Sequence, residues 1–298
     1  MHFEKPYRRK INQKMNINST SEALTYLYKL SLNQTNFRFR GQADKSWKIK
    51  PSIYRYSDFL RYQTTFYEKE VIGAKPTKAN PPLTHTDYDL EWLMVCQHYE
   101  IPTRLVDWST DILSALFFAC YGKEQMSTDG ALYICKQDDY PLFYKYDESI
   151  AISQELAFVS TYVINPRMRN QSGCFMMWGH YPKDKSTETY DLEEYQEQKG
   201  TSFFLEKLII PSTSKEKILK ELKEYYSITF NSIYLKNGYL ETKYGKGFEN
   251  LKEMARKVTL HLTDADKLSE SENKKIIELS GGIDRTNMFR NCINIREV

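Results

Sequence analysis

The segment 91–110 constrains the fold more than any other part of the chain, because a dense polar run, QHYEIPTRLVDWST, lies in it between apolar patterns. Apolar residues at helical spacing precede this run. Pro102 predicts the end of that helix, because proline disfavours a helical conformation of the residue before it. Leu105-Val106 then predicts a short buried strand, with Arg104 and Asp107 at its two ends. Such a segment predicts a half-buried polar site held by packed elements on both sides.

A second set of charged residues lies on the segment 37–41, FRFRG, where apolar and basic residues alternate with the period of a strand. The two phenylalanines fall on one face and the two arginines on the other. Arg38 is interpreted as a solvated residue of a half-buried strand. Arg40 stands before Gly41 at the end of the strand, where a guanidinium can approach a phosphate closely and pair with it at two points.

The amino-acid composition, net charge and apolar runs of the chain favour some classes of protein and exclude others. The chain has 298 residues, of which 41% are hydrophobic and 27% charged, as is usual for soluble globular proteins. The net charge of +3 is too small to predict a nucleic-acid surface by itself. The N-terminus lacks the apolar core of a signal peptide, and no apolar run approaches membrane-spanning length, so we expect no membrane partner.

The five cysteines are widely spaced and form no C-x-x-C pair. An odd number of thiols, three of them in apolar runs, predicts a reducing compartment without a disulfide framework, and hence a cytoplasmic protein. The same scatter argues against a zinc site, and we expect no metal cofactor.

The rest of the chain alternates between helical and strand patterns. A helix is expected to start near 18–22, where Ser and Thr precede an early Glu. Strands are predicted at 130–135, 156–164, 174–178 and 203–210, further helices at 57–72, at 112–121, from 212 onward and at 248–258, and a polar loop at 179–200. These elements predict an α+β fold whose central, mostly antiparallel sheet is split around a cleft, with helices packed on it.

We expect three parts in the chain. They are a flexible N-terminal segment at 1–18, one domain at 19–262 and a charged C-terminal tail at 263–298.

Four motifs carry a resemblance to a known family: FRGQ at 39–42, PSIYR at 51–55, the polar run at 97–108 and ALFFA at 115–119. They resemble the FRG domain family, named after its Phe-Arg-Gly motif, and the likeness covers roughly residues 20–230. Val106 replaces a Leu of the family pattern conservatively. Glu100 replaces a Gly that is free to take positive φ, so we expect that corner to be shaped differently here.

The same residues are similar to the arginine-type ADP-ribosyltransferases. Their pattern is an aromatic-Arg-Gly strand, then a Ser-Thr-Ser strand that leads into a helix like Ala-Leu-x-Phe-Ala. Residues 39–41 match the first motif, and Ser109-Thr110 match the second, with Asp111 in place of the last Ser. The resemblance implies an ADP-ribosyltransferase-like fold with NAD as substrate. It also implies that Arg40 holds the dinucleotide and that Ser109 orients the Arg or the ribose.

Such enzymes use a late Glu to stabilise the oxocarbenium-like state. Gln171 stands near the corresponding strand and can orient a 2′-hydroxyl, but a neutral amide cannot stabilise developing positive charge as a carboxylate does. Glu206, inside the apolar run 203–210, is the alternative, since an interior Glu in a strand is unusual unless it is paired. The opposing interpretation is a Glu206 that faces solvent on an alternating strand.

His98 offers a different chemistry, because histidine titrates near neutral pH and Asp107 can orient it as a general acid or base. This interpretation predicts a His-dependent nuclease. The alternative is a polar network in which Asp107 pairs with Arg104 and His98 caps carbonyl groups at a helix end.

The leading hypothesis is an intracellular effector that binds a dinucleotide and acts as an ADP-ribosyltransferase or NAD-consuming enzyme, with a protein or nucleic-acid acceptor. The family resemblance implies toxin-type or phage-defence effectors of bacteria. A non-enzymatic module that senses a nucleotide or a nucleic-acid end is the rival. The candidate catalytic residues are Arg40, His98, Ser109, Gln171 and Glu206. The candidate ligand-binding residues are Gln42, Tyr99, Thr103, Arg104, Asp107, Trp108, Thr110 and Arg167.

Overall fold

The computed structural model describes residues 15–32, 36–55, 68, 71–73, 87–98, 102–122, 124–147, 150–151, 153, 155–160, 166–179, 191–199 and 203–234. Several predicted features lie outside these residues: the helix at 248–258, the tail at 263–298, most of the helix at 57–72, and Tyr99.

In the part of the chain that the structure describes, seven strands form one sheet in the order β4-β5-β6-β2-β1-β3-β7. They are β1 (Phe37–Gln42), β2 (Leu105–Ser109), β3 (Gly130–Lys136), β4 (Leu142–Phe143), β5 (Ala157–Val159), β6 (Gly173–Met177) and β7 (Leu205–Ile210). Only β4 and β5 pair in parallel, and the other neighbours are antiparallel. The predicted α+β class with a mostly antiparallel sheet is confirmed.

The helices are α1 (Thr20–Ser31), α2 (Asp87–His98), α3 (Ile112–Cys120), α4 (Pro166–Asn170), α5 (Leu192–Lys199), α6 (Ser212–Tyr226) and α7 (Phe230–Ile233), with 3-10 turns at Ser52–Arg55 and Gln137–Asp139. The predicted start of α1 is confirmed, since the Ser19 side chain accepts a hydrogen bond from Glu22 N. The predicted loop at 179–200 is wrong at its end, where α5 forms. Its first turn carries Glu193 and Glu194, which favour the positive end of the helix dipole.

Alternation along the strands divides the buried apolar residues into two cores on opposite faces of the sheet. One core places Phe37 and Phe39 of β1 and the neighbouring residues of β3 and β7 against α1, α3 and α6. The other core joins α2 to β2, β5 and β6. Arg38 and Arg40 are half-buried on the face of β1 opposite the phenylalanines, as the period-two pattern predicts.

The residues before α1 are part of the packed structure. Asn16 forms a parallel bridge with Ile209 of β7, and Ile17 is fully buried. The segment predicted to be flexible at 1–18 is therefore anchored at 15–18, because Ile17 buries an apolar side chain. Residues 1–14 lie outside the described part.

Four of the five cysteines lie among the described residues, and Cys96, Cys120, Cys135 and Cys174 are buried free thiols. Burial raises the pKa of each of them, so they are protonated near neutral pH. No helix in the described ranges is both long and apolar enough to cross a membrane.

Asp129, in the loop before β3, caps helix α6 from outside that helix. Pro211 at the N-cap of α6 provides no capping side chain, and Asp129 Oδ1 instead accepts a hydrogen bond of 2.9 Å from Ser212 N. Asp129 Oδ2 also accepts one of 2.8 Å from Lys45 Nζ. The bonds from Lys45 and from the Ser212 N–H lower the pKa of Asp129.

Replacing Asp129 with Ala is expected to lower the free energy of unfolding at pH 7 by about 1 kcal/mol, the usual cost of losing a helix cap. The pKa of Asp129 is lower in the folded state than in the unfolded state. Its contribution is therefore present above the unfolded-state pKa and is lost as the pH falls through the folded-state pKa. Urea unfolding of both proteins at pH 7 and in acid measures the effect. A difference that stayed constant into acid would contradict it.

Candidate functional site

Strands β1 and β2 diverge beside the predicted polar run. They pair only at Phe39–Ser109, whereas β1 and β3 pair from Phe37–Lys136 to Gln42–Ala131. We call the space between residues 40–42 of β1 and 105–108 of β2 the β1–β2 gap. This divergence is the feature of the sheet that corresponds to the predicted split.

The direction of the backbone groups explains what enters the gap. Thr110 N donates to Ser172 O, and Trp178 N donates to Arg104 O, so the even-numbered residues of β2 direct their backbone groups toward β6. The carbonyl of Asp107 therefore points toward β1, where no strand pairing continues. Arg40 Nη1 donates a hydrogen bond to this carbonyl oxygen. The guanidinium thus satisfies a strand carbonyl that the divergence leaves without a ladder partner.

Arg40 and Asp107 reach the gap from opposite faces of the sheet. Phe39 and Ser109 lie opposite each other and share a face, so the Asp107 side chain lies on that face and Arg40 on the other. The gap therefore joins the two faces at a half-buried guanidinium and a half-buried carboxylate.

A chain of hydrogen bonds extends from Asp107 to the predicted helix end. Gln97 Nε2 of α2 donates to Asp107 Oδ2 at 3.2 Å, and Thr103 Oγ1 donates to Gln97 Oε1 at 2.6 Å. Thr103 is itself fixed, because its Oγ1 accepts from Leu105 N at 3.2 Å. Gln97 is a site residue that the sequence-based site list omitted. Its signal was an amide on the otherwise apolar face of a predicted helix.

On the Arg40 face, two buried polar atoms line the strands beside the gap. Gln42 and Trp108 are 4% and 3% exposed. Neither Gln42 Oε1 nor Trp108 Nε1 has a hydrogen-bond partner among the described residues. A buried polar group without a partner costs about 1–3 kcal/mol, so each atom is suited to bind a polar ligand atom.

Tyr133 lies beside Arg40 on β3. It is not among the site residues that the sequence predicted. It is paired with Arg40 in register. Its hydroxyl donates to Glu193 Oε1 at 2.9 Å, and Lys207 Nζ lies 5.1 Å from its ring centroid. Burial first, and then the charge of Glu193, raise the pKa of Tyr133, while Arg40 opposes the shift. Tyr133 therefore stays protonated and acts as a hydrogen-bond donor.

Arg167 lies in α4, and Gln171 lies at the turn between α4 and β6. The Arg167 guanidinium lies over the Tyr234 ring, 5.1 Å from its centroid, and Gln171 Nε2 donates to Ile233 O at 3.4 Å. Burial raises the pKa of Tyr234, Arg167 lowers it and Asp107 raises it, so each of the two charged groups lies within electrostatic range of the Tyr234 hydroxyl.

Ser109 and Thr110 connect β2 to the same turn. Ser109 Oγ donates to Gln171 O at 2.8 Å and accepts from Asp111 N at 3.0 Å. Thr110 Oγ1 donates to Ser172 O at 3.2 Å. These bonds hold the turn before α3, whose N-cap is Asp111. The Ser109 hydroxyl thus already has both an acceptor and a donor partner within the turn, so it supports the turn.

The polar-network alternative predicted a pair between Arg104 and Asp107. Arg104 pairs with a different carboxylate. It is fully buried and forms a two-point ion pair with Glu68, with Nε–Oε2 at 2.9 Å and Nη2–Oε1 at 2.6 Å. Its Nη1 donates to Trp178 O at 2.6 Å. Burial opposes the charge, but the attraction and hydrogen bonds of Glu68 together raise the pKa of Arg104. The residue is positioned to stabilise the core instead of meeting a ligand.

Glu206 is not brought to the gap. It pairs in register with Ile134, which pairs with Phe39, so its side chain lies on the face opposite Arg40. There it accepts a hydrogen bond from the Tyr26 hydroxyl of α1. The solvent-facing interpretation is also wrong, because Glu206 is half-buried against that helix.

His98 is the last residue of α2, and its side chain, like the whole of Tyr99, lies outside the described residues. Across the described ranges, no group of three His, Cys, Asp or Glu side chains is placed to hold a metal ion.

The fold and the gap define an α+β protein with an arginine-lined polar site. Residues 35–128 match the family model of the FRG domain, which supports the FRG resemblance. The matched segment contains β1, α2, β2 and α3, and with them Arg40, Gln97 and Asp107. No curated protein and no solved structure matches the chain significantly. The similarity to ADP-ribosyltransferases receives no support from these comparisons and stays a prediction.

Proposed function

We propose that this FRG-domain protein binds a dinucleotide, with NAD as the candidate, at the β1–β2 gap, and cleaves it as an ADP-ribosyltransferase or NAD-consuming enzyme. The observation that carries the proposal is the Arg40 guanidinium in the gap, hydrogen-bonded to a neutral carbonyl. A planar guanidinium binds phosphate oxygens at two points, and a pyrophosphate is the anionic centre of a dinucleotide.

The surroundings of Arg40 suit the neutral parts of such a ligand. Gln42 Oε1 can accept from a ribose hydroxyl or a base amine, and Trp108 Nε1 can donate to a ligand oxygen. Arg167, whose guanidinium lies over the Tyr234 ring, is the candidate second cation for the ligand. Gln42, Trp108 and Arg167 were all expected from the sequence to contact the ligand.

Asp107 is the carboxylate that supports cleavage. Loss of nicotinamide leaves positive charge at the ribose carbon, which a nearby carboxylate stabilises. Asp107 carries the carbonyl that binds Arg40, and its carboxylate is oriented by Gln97. Glu206 cannot take this role, because it lies on β7, which β3 separates from β1, and it bonds there to Tyr26 of α1. The acceptor of the ADP-ribosyl group is water or a macromolecule.

We expect Arg40→Gln to weaken NAD binding about ten- to a hundredfold, the usual effect of losing a charge-assisted hydrogen bond. Asp107→Asn is expected to retain binding and to lose nicotinamide release. NAD affinity is measured by calorimetry, and release by chromatography of the reaction. Glu206→Gln is the matched carboxylate control and is expected to leave both quantities unchanged.

Arg40 also bonds to the backbone of β2, so the melting temperature of each variant without ligand is recorded, and Arg40→Lys provides a variant that keeps the charge. Binding of NAD without nicotinamide release by the wild type would support the non-enzymatic sensing module and refute cleavage. Absence of both would refute the proposal.

A further inference from the structure

A cavity of about 350 Å³ opens at the end of the sheet where strand β1 begins and strand β2 ends. Its lining includes Arg38, Thr110 and Arg169, and none of the gap residues Arg40, Asp107 or Arg167. The cavity is therefore a second site, two residues along β1 from the first.

Arg38 is held in place by neutral acceptors. Its Nη1 donates to Asn36 Oδ1 at 2.8 Å and to Phe37 O at 2.9 Å, and its Nη2 lies 3.5 Å from Gln137 Oε1. The guanidinium also lies over the Phe158 ring, 5.9 Å from the centroid. Arg38 is thus a preorganised, half-buried cation and not the solvated residue expected from the sequence.

The positive charge of the two arginines at the cavity is not balanced by an acidic side chain of the described residues. Arg169 of α4 is exposed at the lining, and no carboxylate bonds to either arginine in the ranges that the structure describes. No acidic side chain of those ranges lines the cavity. Two guanidinium groups at one cavity, one of them half-buried, favour a dianion between them, because a partly buried charge is stabilised by an opposite charge.

Apolar and aromatic residues, among them Phe158, Met168 and Tyr144, form most of the remaining lining, which also includes Ser160 and Ser172. The volume lies at the lower end of the range for small-molecule sites, about 300–1,000 Å³. It therefore suits a mononucleotide better than a dinucleotide.

We propose that this cavity binds an aromatic phosphomonoester of nucleoside monophosphate size. The phosphate lies between Arg38 and Arg169, the Thr110 hydroxyl donates to a phosphate oxygen, and the ring packs on Tyr144 and Met168. The inference does not depend on NAD binding at the β1–β2 gap.

The test is calorimetric titration of the full chain with AMP and, separately, with inorganic phosphate. Arg169→Gln is expected to weaken AMP binding about tenfold, as loss of a charge-assisted contact does. Arg38→Gln is expected to weaken it at least as much. Lys29→Gln, which removes an exposed charge from α1, is the control for net charge and is expected to leave affinity unchanged.

Tyr144→Ala tests the contact with the aromatic ring of the ligand separately from the contacts with its phosphate. It is expected to weaken AMP binding about fivefold, the scale of one aromatic stacking contact, and to leave phosphate binding unchanged. Arg40→Gln distinguishes the two sites, since it should weaken NAD binding and leave AMP binding intact. Absence of AMP binding at millimolar concentration, loss of AMP binding in Arg40→Gln but not in Arg169→Gln, or equal affinity for AMP and inorganic phosphate would each overturn the proposal.

Discussion

Replacing Arg104 with Met is expected to lower the free energy of unfolding by about 3–5 kcal/mol, the usual cost of breaking a buried ion pair by removing one partner. Arg104 and Glu68 are 0% and 2% exposed, so the carboxylate would remain in the core without its cation. The variant would also leave the carbonyls of Trp178 and Ile150 without the donors that Arg104 provides. Urea unfolding followed by circular dichroism measures the loss.

Two further variants show whether the effect belongs to the buried pair. Arg104→Met combined with Glu68→Leu removes both charges and is expected to recover part of the loss, because apolar residues of similar volume can replace a buried pair. Lys220→Met breaks an exposed pair on α6, where the two side chains are 70% and 47% exposed. It is expected to cost less than about 0.5 kcal/mol. A loss below about 1 kcal/mol in Arg104→Met would refute the structural role and return Arg104 to the candidate ligand contacts.

Replacing Gly41 with Ala is expected to lower the free energy of unfolding by about 3 kcal/mol or more, at the upper end of the cost of overpacking. Helix α3 crosses β1 at this glycine, and an added Cβ would lie 1.8 Å from Ala115 O and 2.5 Å from Ala119 N. Both are backbone atoms, so the strand and the helix would have to separate as units.

Gly73 provides the matched control, because an added Cβ there would meet no atom of the described residues within 4 Å. The backbone of Gly73 is helical, so Gly73→Ala is expected to be neutral or slightly stabilising. Thermal unfolding of the two variants compares them directly. Equal melting temperatures would show that β1 and α3 are not packed as closely as described.

Gly41 also explains the last position of the Phe-Arg-Gly motif in structural terms. Phe39 packs in the core with α3, Arg40 enters the β1–β2 gap, and Gly41 permits the close crossing of the helix. The three residues thus join the core, the gap and the helix that follows β2. The motif is required for packing as well as for the proposed binding of anions.

Local patterns in the sequence predicted most of the elements correctly. The alternation at 37–41 gave the two faces of β1, and Ser19 gave the start of α1. The polar run at 97–108 predicted a half-buried polar site, and hydrogen bonds join Gln97, Thr103 and Asp107 there. Such features depend on residues that are neighbours in sequence, so periodicity and capping rules apply to them directly.

The partners of the charged residues could not be predicted in this way. Arg104 pairs with Glu68, which lies 36 residues earlier in the chain, and Glu206 bonds to Tyr26 on α1. Arg38 precedes Arg40 by two residues on the same strand, yet Arg38 lines the cavity and Arg40 does not. Each of these outcomes depends on strand order and register, and a shift of register by one residue would reverse the face of every side chain.

The sequence by itself determined most of the strands and helices, the α+β class and the concentration of polar residues around Asp107. Tertiary structure alone decided which arginine is a buried support, which enters the β1–β2 gap and which lines the cavity. The physical reason is that a guanidinium is stabilised by whichever acceptors the fold brings within hydrogen-bonding distance, and those acceptors come from distant parts of the chain.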